Sequence, residues 1–268
     1  MQVEVNKQIS VAQSVDVVLQ LVDEHGGQFN FINVATSVNT LAKLAGLEAK
    51  RAGSPVQVRD TLTKDERFAR LIEMVSVHCG KLGGRGVANV LNGLAVLQAN
   101  LGVQAVDEKL AIQLVNTLKR TAGDMNAQGV ANTLNALSRL DVIAGAMSPA
   151  GWDAVVRAAE RTAPTMNAQG AANTLNALRN LDAAASAMSP AGWDAVAKAV
   201  ERTATLLAGW DIVANAQGIA NTLNALSKLD AAASAMSPAG WDAVVEAAER
   251  TAPTMNAQNA PDTLDNVA

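Results

Sequence analysis

The 268-residue chain has no tyrosine, three phenylalanines, two histidines and one cysteine, Cys79. A lone cysteine excludes an internal disulfide framework. Two histidines and one cysteine also fall short of a zinc ligand set, so neither a metal nor any other cofactor is expected. Aromatics make up 3% of the residues, which leaves few platforms on which bases could stack. Basic charge is scarce too. Lys and Arg number 21 against 25 Asp and Glu, a net charge of −4, whereas a protein that follows phosphates normally carries a basic stripe. No apolar run reaches the roughly 18 residues of a membrane helix. Residues 1–26 lack a basic start followed by an apolar core, so neither a membrane partner nor a cleaved signal is expected. Alternating strand-like runs are missing as well, and the 49% of hydrophobic residues then read as an all-α protein.

What the chain does have is repetition. Residues 126–141 read NAQGVANTLNALSRLD and residues 147–163 read MSPAGWDAVVRAAERTA; both stretches return, nearly unchanged, from 167 and from 215. The opening asparagine falls at 126, 167, 215 and 256, so the period is 41 with seven residues added once, between Thr205 and Ala214. Seven residues are close to two helical turns, and such an insertion is expected to lengthen a helix while keeping its face in register. Fainter copies precede: GVANVLNGL at 86–94 matches 129–137, and residues 34–44 lie on 130–140 with Thr36 in place of an asparagine. Past Asn256 the motif degrades, with Pro261 inside the helix and Asp265 for an asparagine, as a terminal cap or a truncated copy would. The reading is one solenoid over 1–268: divergent copies at 1–80, clear ones at 81–252 and a degenerate end at 253–268, about six copies in all.

Each copy reads as a helix pair. Asn126 suits the N-cap of the first helix, and Val130, Leu134, Leu137 and Asp141 follow at i, i+4, i+7 and i+11, the three apolar ones marking a narrow face. The second helix starts on Ser148 and Pro149. Trp152, Val155, Val156 and Ala159 form its apolar side, which makes Trp152 and its copies Trp193 and Trp241 packing knobs. Linkers such as 182–187, DAAASA, are helix formers that either extend the first helix or make a short third one. Since 41 residues cannot bury a core alone, stacking supplies it.

The motif resembles a family. NAQGIANTLNALSKLD at 215–230 is similar to the helix of the SKWP-repeat effectors, which plant-pathogenic bacteria deliver into host cells by type III secretion. The residues that name that family would fall on Ser227, Lys228, Leu229 and Asp230, and Leu and Asp here replace its Trp and Pro. The pattern is also similar to octotricopeptide repeats of organellar RNA-binding proteins, which commonly have Trp where this chain has Asn135, Asn176 and Asn224. The likeness covers 86–268 well and 26–80 weakly. It implies an αα-solenoid of the HEAT, armadillo or octotricopeptide kind. It also implies delivery into a host cell and a macromolecular ligand, either a protein or single-stranded RNA.

In such stacks the ligand usually lies along equivalent first helices. The candidates are therefore Asn132, Asn135 and Arg139, with Asn173, Asn176, Arg179 and Asn180, then Asn221, Asn224 and Lys228. Asn132 and its copies read first as internal ties between copies, while Asn135 and its copies stay open to either role. One cation per first helix, at Lys43, Arg139, Arg179 and Lys228, is thin support for RNA, and near-identical copies would read near-identical bases. A protein-binding scaffold is preferred, with RNA as the alternative.

No catalytic constellation is expected, nor a small-molecule substrate. His78 and Cys79 are sequence neighbours that cannot face each other on a helix. His25, before Gly26 and Gly27, suits a helix C-terminus. Gly80, Gly83, Gly84 and Gly86 read as a turn rather than a phosphate loop. Asp153, Arg157, Glu160 and Arg161 read as surface ion pairs.

Overall fold

The computed structural model describes residues 2–207 and 212–252; Trp210, Asn256, Pro261 and Asp265 lie outside them. Among the described residues every regular element is a helix. α1 (Gln2–Val11), α2 (Val15–His25), α3 (Phe31–Ala52), α4 (Pro55–Thr63), α5 (Glu66–His78), α6 (Gly84–Leu101) and α7 (Glu108–Thr121) precede the clear copies. The first copy supplies α8 (Ala127–Leu137), α9 (Asp141–Gly145) and α10 (Pro149–Thr162). The second supplies α11 (Ala168–Asn180), α12 (Asp182–Ala187) and α13 (Pro190–Leu207), and the third α14 (Ile212–Leu226), α15 (Asp230–Ala235) and α16 (Pro238–Thr251). The fold is an all-α helical repeat of the solenoid kind, in which equivalent helices pack side by side, α3 with α6, and α11 with α8 and α14.

The copy is a helix triplet rather than a pair. The chain turns after the first helix at Leu140, Leu181 and Leu229, whose backbones lie outside the helical region at φ −113, −125 and −117°. An aspartate then opens a short third helix, where its negative charge faces the positive helix end. Asp141 therefore starts α9 and does not extend the apolar face of α8. The N-caps are as read: Asn126 and Asn167 each accept from the N–H three residues on at 2.8 Å, and Ser148, Ser189 and Ser237 do the same for Gly151, Gly192 and Gly240 at 2.9–3.2 Å. Asn215 differs, because α14 begins at Ile212 and carries it inside the helix. The insertion is shared by two helices: α13 has 18 residues against 14 in α10 and α16, and α14 starts early.

Packing divides the chain into two compact bodies, Met1–Asp124 with Arg139–Gly151, and Met125–Ser138 with Trp152–Ala268. In the first, α3 lies along α6 so closely that a Cβ on Gly93 would come within 2.9 Å of the Val38 carbonyl oxygen. Only glycine allows that approach. The Asn92 side chain donates to Oδ1 of Asn39 across the same pair of helices at 3.0 Å. In the second body α11 packs between α8 and α14, and α13 packs on α16. Trp152 and Trp193 are 6% and 7% exposed, as packing knobs should be, and Trp241 is half-buried.

The first helices bury far more than a narrow face. Beside Val130, Leu134 and Leu137, α8 also buries Gly129, Ala131, Thr133 and Ala136, and α11 repeats this with Ala171, Ala172, Thr174, Leu175, Ala177 and Leu178. The threonines sit there because each has a partner: Thr133 and Thr174 direct their hydroxyls to the sulfurs of Met125 and Met166 at 3.7 Å. The corresponding Ser37 has Phe29 in the methionine's place, and its buried hydroxyl has no partner.

A recurring Glu-Arg-Thr triplet ties each copy to the next through the glutamate and closes the copy on itself through the arginine. Glu160 accepts from the backbone N–H and hydroxyl of Ser189, the cap of the next second helix, at 3.0 and 2.8 Å, and Glu201 accepts from the N–H of Ser237 at 2.6 Å. These carboxylates occupy the space a Cβ would need on Gly192 and Gly240. Arg161 and Arg202 reach back to the carbonyls of Met125 and Met166, just before the first-helix caps, at 2.9 and 2.6 Å, and Arg120 does the same to Leu82 at 2.9 Å. Thr121, Thr162, Thr203 and Thr251 close the triplet by donating to the carbonyl four residues earlier. The surface ion pairs are instead Arg157 with Asp153, Lys198 with Asp194 and Arg250 with Glu246. Glu160 and Arg161 are joints.

Two measurements follow from these contacts. Arg202→Met keeps the aliphatic stem and removes a charged hydrogen bond, so it is expected to lower unfolding free energy by about 1–2 kcal/mol in urea titrations; an unchanged midpoint would show the joint to be decorative. In the first body Asp65 caps α5 at the Arg67 N–H, while the Arg67 side chain bonds both Asp65 and Asp16 of α2 at 2.7 and 2.9 Å. Hydrogen bonds from Arg67 hold the Asp65 carboxyl below its ordinary 3.8 despite burial, which acts the other way. A depressed carboxyl stabilises above its unfolded value and loses that contribution as pH falls through the folded one. The thermal-stability gap between wild type and Asp65→Asn should therefore be full at pH 7 and close below about pH 4.

Candidate partner-binding face

Each first helix of the second body is enclosed except along one stripe. On α8 that stripe holds Gln128, Asn132 and Asn135; on α11 it holds Gln169, Asn173 and Asn176; on α14, Gln217, Asn221 and Asn224. The glutamines are exposed and the asparagines half-buried. Because α11 packs on both α8 and α14, the nine carboxamides form three columns across three adjacent helices. Spacing explains the alignment: i, i+4 and i+7 stay on one side of a helix, and the repeat carries the same residue types to the same side of the next.

The amides are largely unoccupied. Those of Gln128, Asn132, Asn135, Gln169, Asn173, Asn176 and Asn224 make no side-chain hydrogen bond, and none of their atoms is among the buried polar atoms left without a partner. They face solvent. Asn221 accepts from Gln217 at 3.0 Å along α14. Internal ties by Asn132, Asn173 and Asn221 between copies are thus not what the structure shows. The tie occurs at the other column and in the first body, where Asn39 and Asn92, aligned with Asn135, bond each other. Gln128, Gln169 and Gln217 were not picked out by reading for asparagine, although the 41- and 48-residue spacings mark them equally well.

The remaining candidates are more scattered. Asn180 is exposed and donates to the Asn176 carbonyl at 3.0 Å. Lys228 is exposed near the end of α14, and Lys43 on α3 is exposed in the first body. Arg139 also belongs to the first body, exposed, its carbonyl accepting from Gln98 at 3.0 Å. Arg179 is half-buried with its Nε enclosed and unpartnered. It falls in the column of Ser138 and Ser227, one residue before that of Arg139, Asn180 and Lys228, so these cations do not line up as a row.

The groups weighed for catalysis stand apart. His78 ends α5 and Cys79 opens the following 3-10 turn, buried, its sulfur 3.3 Å from the Thr117 hydroxyl. Burial pushes the Cys79 thiol up, and burial with Lys81 holds His78 down, so neither is set as an activated pair. His25 ends α2 beside Glu24, but Gly26 has φ −56° and leads into a 3-10 turn instead of a left-handed cap; those caps are Gly53 and Gly102. Gly80 lies in a 3-10 turn and Gly83 caps α6, as the turn reading expects, whereas Gly84 and Gly86 lie inside α6 and not in the turn. No cluster of three or more metal-ligating side chains occurs among the described residues. None of the described helices is long and apolar enough to cross a membrane.

Comparison with known proteins touches the same elements. A family model described as a protein of unknown function, DUF1601, matches residues 107–134, 154–175 and 215–223. Its first two stretches run from a second helix through the 3-10 turn into the next first helix, and they leave out the short third helices. No curated protein matches.

Because the amides of Asn135, Asn176 and Asn224 bond nothing within the fold, Asn135→Ala, Asn176→Ala and Asn224→Ala together should leave the unfolding midpoint nearly in place, within about 0.5 kcal/mol per site. Asn167→Ala, which removes a cap, should cost about 1 kcal/mol. Equal losses in the two variants would show that the stripe serves the fold.

Proposed function

We propose that the chain is a non-enzymatic scaffold whose carboxamide stripe holds the main chain of a protein partner. One observation carries this reading: the same three amide positions recur on three adjacent helices, and those of Gln128, Asn132, Asn135, Gln169, Asn173, Asn176 and Asn224 have no partner inside the fold. A carboxamide both donates and accepts, which is the complement of a peptide group. Packed helices stand about 8–10 Å apart, the length of about three residues of extended chain at ~3.3 Å each, so successive helices meet every third peptide group of one strand. The resemblance to SKWP repeats supports placing this scaffold in an effector-like protein that acts inside a host cell. Single-stranded RNA is favoured less, since the stripe has neither aromatic platforms nor aligned cations.

The test compares two ligand classes on one protein. Random-sequence single-stranded RNA is titrated at low and physiological salt, and protein partners are captured on wild-type and Asn135→Ala, Asn176→Ala, Asn224→Ala chains. The expected result is weak RNA binding and a captured protein that the triple variant loses. Tight RNA binding that falls steeply with salt, and vanishes when Arg139, Arg179 and Lys228 become Glu, would overturn the reading.

A further inference from the structure

A recess of about 390 Å³ opens between α5, the 3-10 turn that follows it, and α7, all within the first body. Along α7 its wall is Gln113, Asn116, Thr117 and Arg120, at i, i+3, i+4 and i+7 of one helix face. Hydrogen-bond donors are left over there. The Ser76 hydroxyl donates to Oε1 of Gln113 at 2.7 Å, which leaves the NH2 group of that amide without a partner. Asn116 is exposed, and its amide makes no side-chain bond. Arg120 uses Nη2 on the Gly80 and Leu82 carbonyls at 3.0 and 2.9 Å, while its Nε and Nη1 have no partner among the described residues. Arg120 is also the one charged side chain of the lining; Glu73 and Asp124, the acids nearest in sequence, do not line it.

The clear copies show that the arginine tie does not need this polarity. Arg161 and Arg202 make the corresponding bond to a carbonyl, yet the column of Gln113 holds Ala154 and Ala195. The column of Asn116 holds Arg157 and Lys198, each paired with an aspartate one turn earlier on its own helix. The Gln113 and Asn116 amides are therefore no requirement of the repeat. They stand beside a cation that no carboxylate of the fold neutralises.

We infer that this recess binds a carboxylate, held by Arg120 and by the NH2 groups of Gln113 and Asn116. An ionised carboxylate only accepts, at about four lone-pair sites, which is the complement of leftover donors around a guanidinium. Hydrogen bonds to an ionised group are also the strong ones. One cation balances one negative charge, so a carboxylate is matched, whereas a phosphate monoester carries nearly two charges at neutral pH. A ligand cation would meet Arg120 with no counter-charge at all. The inference is independent of the carboxamide stripe, which lies on other helices in the other body. Two sources share the chemistry, a free small acid and an acidic side chain of a protein.

The test follows backbone and side-chain amide resonances of the 15N-labelled full chain while four probes are added separately at constant ionic strength. The probes are sodium propionate, the blocked tripeptide acetyl-Ala-Glu-Ala-amide, propionamide and inorganic phosphate. The tripeptide, and propionate if the source is a small acid, is expected to shift the Gln113 and Asn116 NH2 signals saturably, with Kd on the order of 1 mM; propionamide is expected to shift neither. Asn116→Ala removes one hydrogen bond to a charged group and should weaken binding about tenfold. Arg120→Met should abolish binding, and because Arg120 also ties two carbonyls, Asn116→Ala keeps the test valid if that variant misfolds. Tighter binding of the tripeptide than of propionate assigns the site to a protein's acidic side chain, and equal binding to a free acid. Absence of saturable shifts with both carboxylates would overturn the inference. So would propionamide acting like propionate, phosphate binding more tightly than either carboxylate, or Asn116→Ala binding like wild type.

Discussion

A helix enclosed on every side but one cannot exist without neighbours on both flanks, and that constraint organises this protein. α11 carries alanine, threonine and leucine around most of its circumference, so removing α8 from one flank or α14 from the other would expose apolar surface. Each buried leucine or valine contributes about 1.5–3 kcal/mol only while the flanking helix is present. Small residues set how near the neighbour comes, most clearly at Gly93 against Val38. Cohesion is therefore a property of the array rather than of any copy.

Polar contacts then decide register. The hydrophobic sides would tolerate some sliding, but Glu160 on Ser189 aligns one copy with the next, while Arg161 on the Met125 carbonyl and Thr133 on the Met125 sulfur fix the helices within a copy. What remains after these bonds are made is a stripe of neutral amides. Its neutrality is itself informative: the charged residues of the second helices pair with each other one turn apart, leaving the first-helix surface free of strong fields.

Much of the fold was legible in the sequence because repetition amplifies weak signals. Asn126, Ser148 and Trp152 are ambiguous singly, yet their return at 41-residue spacing made caps and knobs readable. The helix break at Leu140 was harder, since Leu-Asp contains no glycine or proline to announce it; the turn is held by burial of the leucine and by the aspartate's place at the next helix end. Joints between copies and within them were illegible for a different reason. Glu160 and Arg161 look like ordinary surface charges in a window of one helix, and their partners lie 29 and 36 residues away. At the candidate face, the asparagine columns were found from spacing, but whether Asn132 points inward or outward depends on where the neighbouring helix sits. The glutamines went unremarked because attention followed one residue type.

The Glu160 joint carries a genetic consequence. Its carboxylate is encoded in one copy, and the glycine and serine that receive it are encoded in the next. Recombination that adds or deletes whole 41-residue modules keeps every such handshake intact, whatever the final number. Point change inside a single module does not, since a side chain gained at Gly192 must be answered upstream at Glu160. An array built this way evolves its length easily and its individual modules slowly.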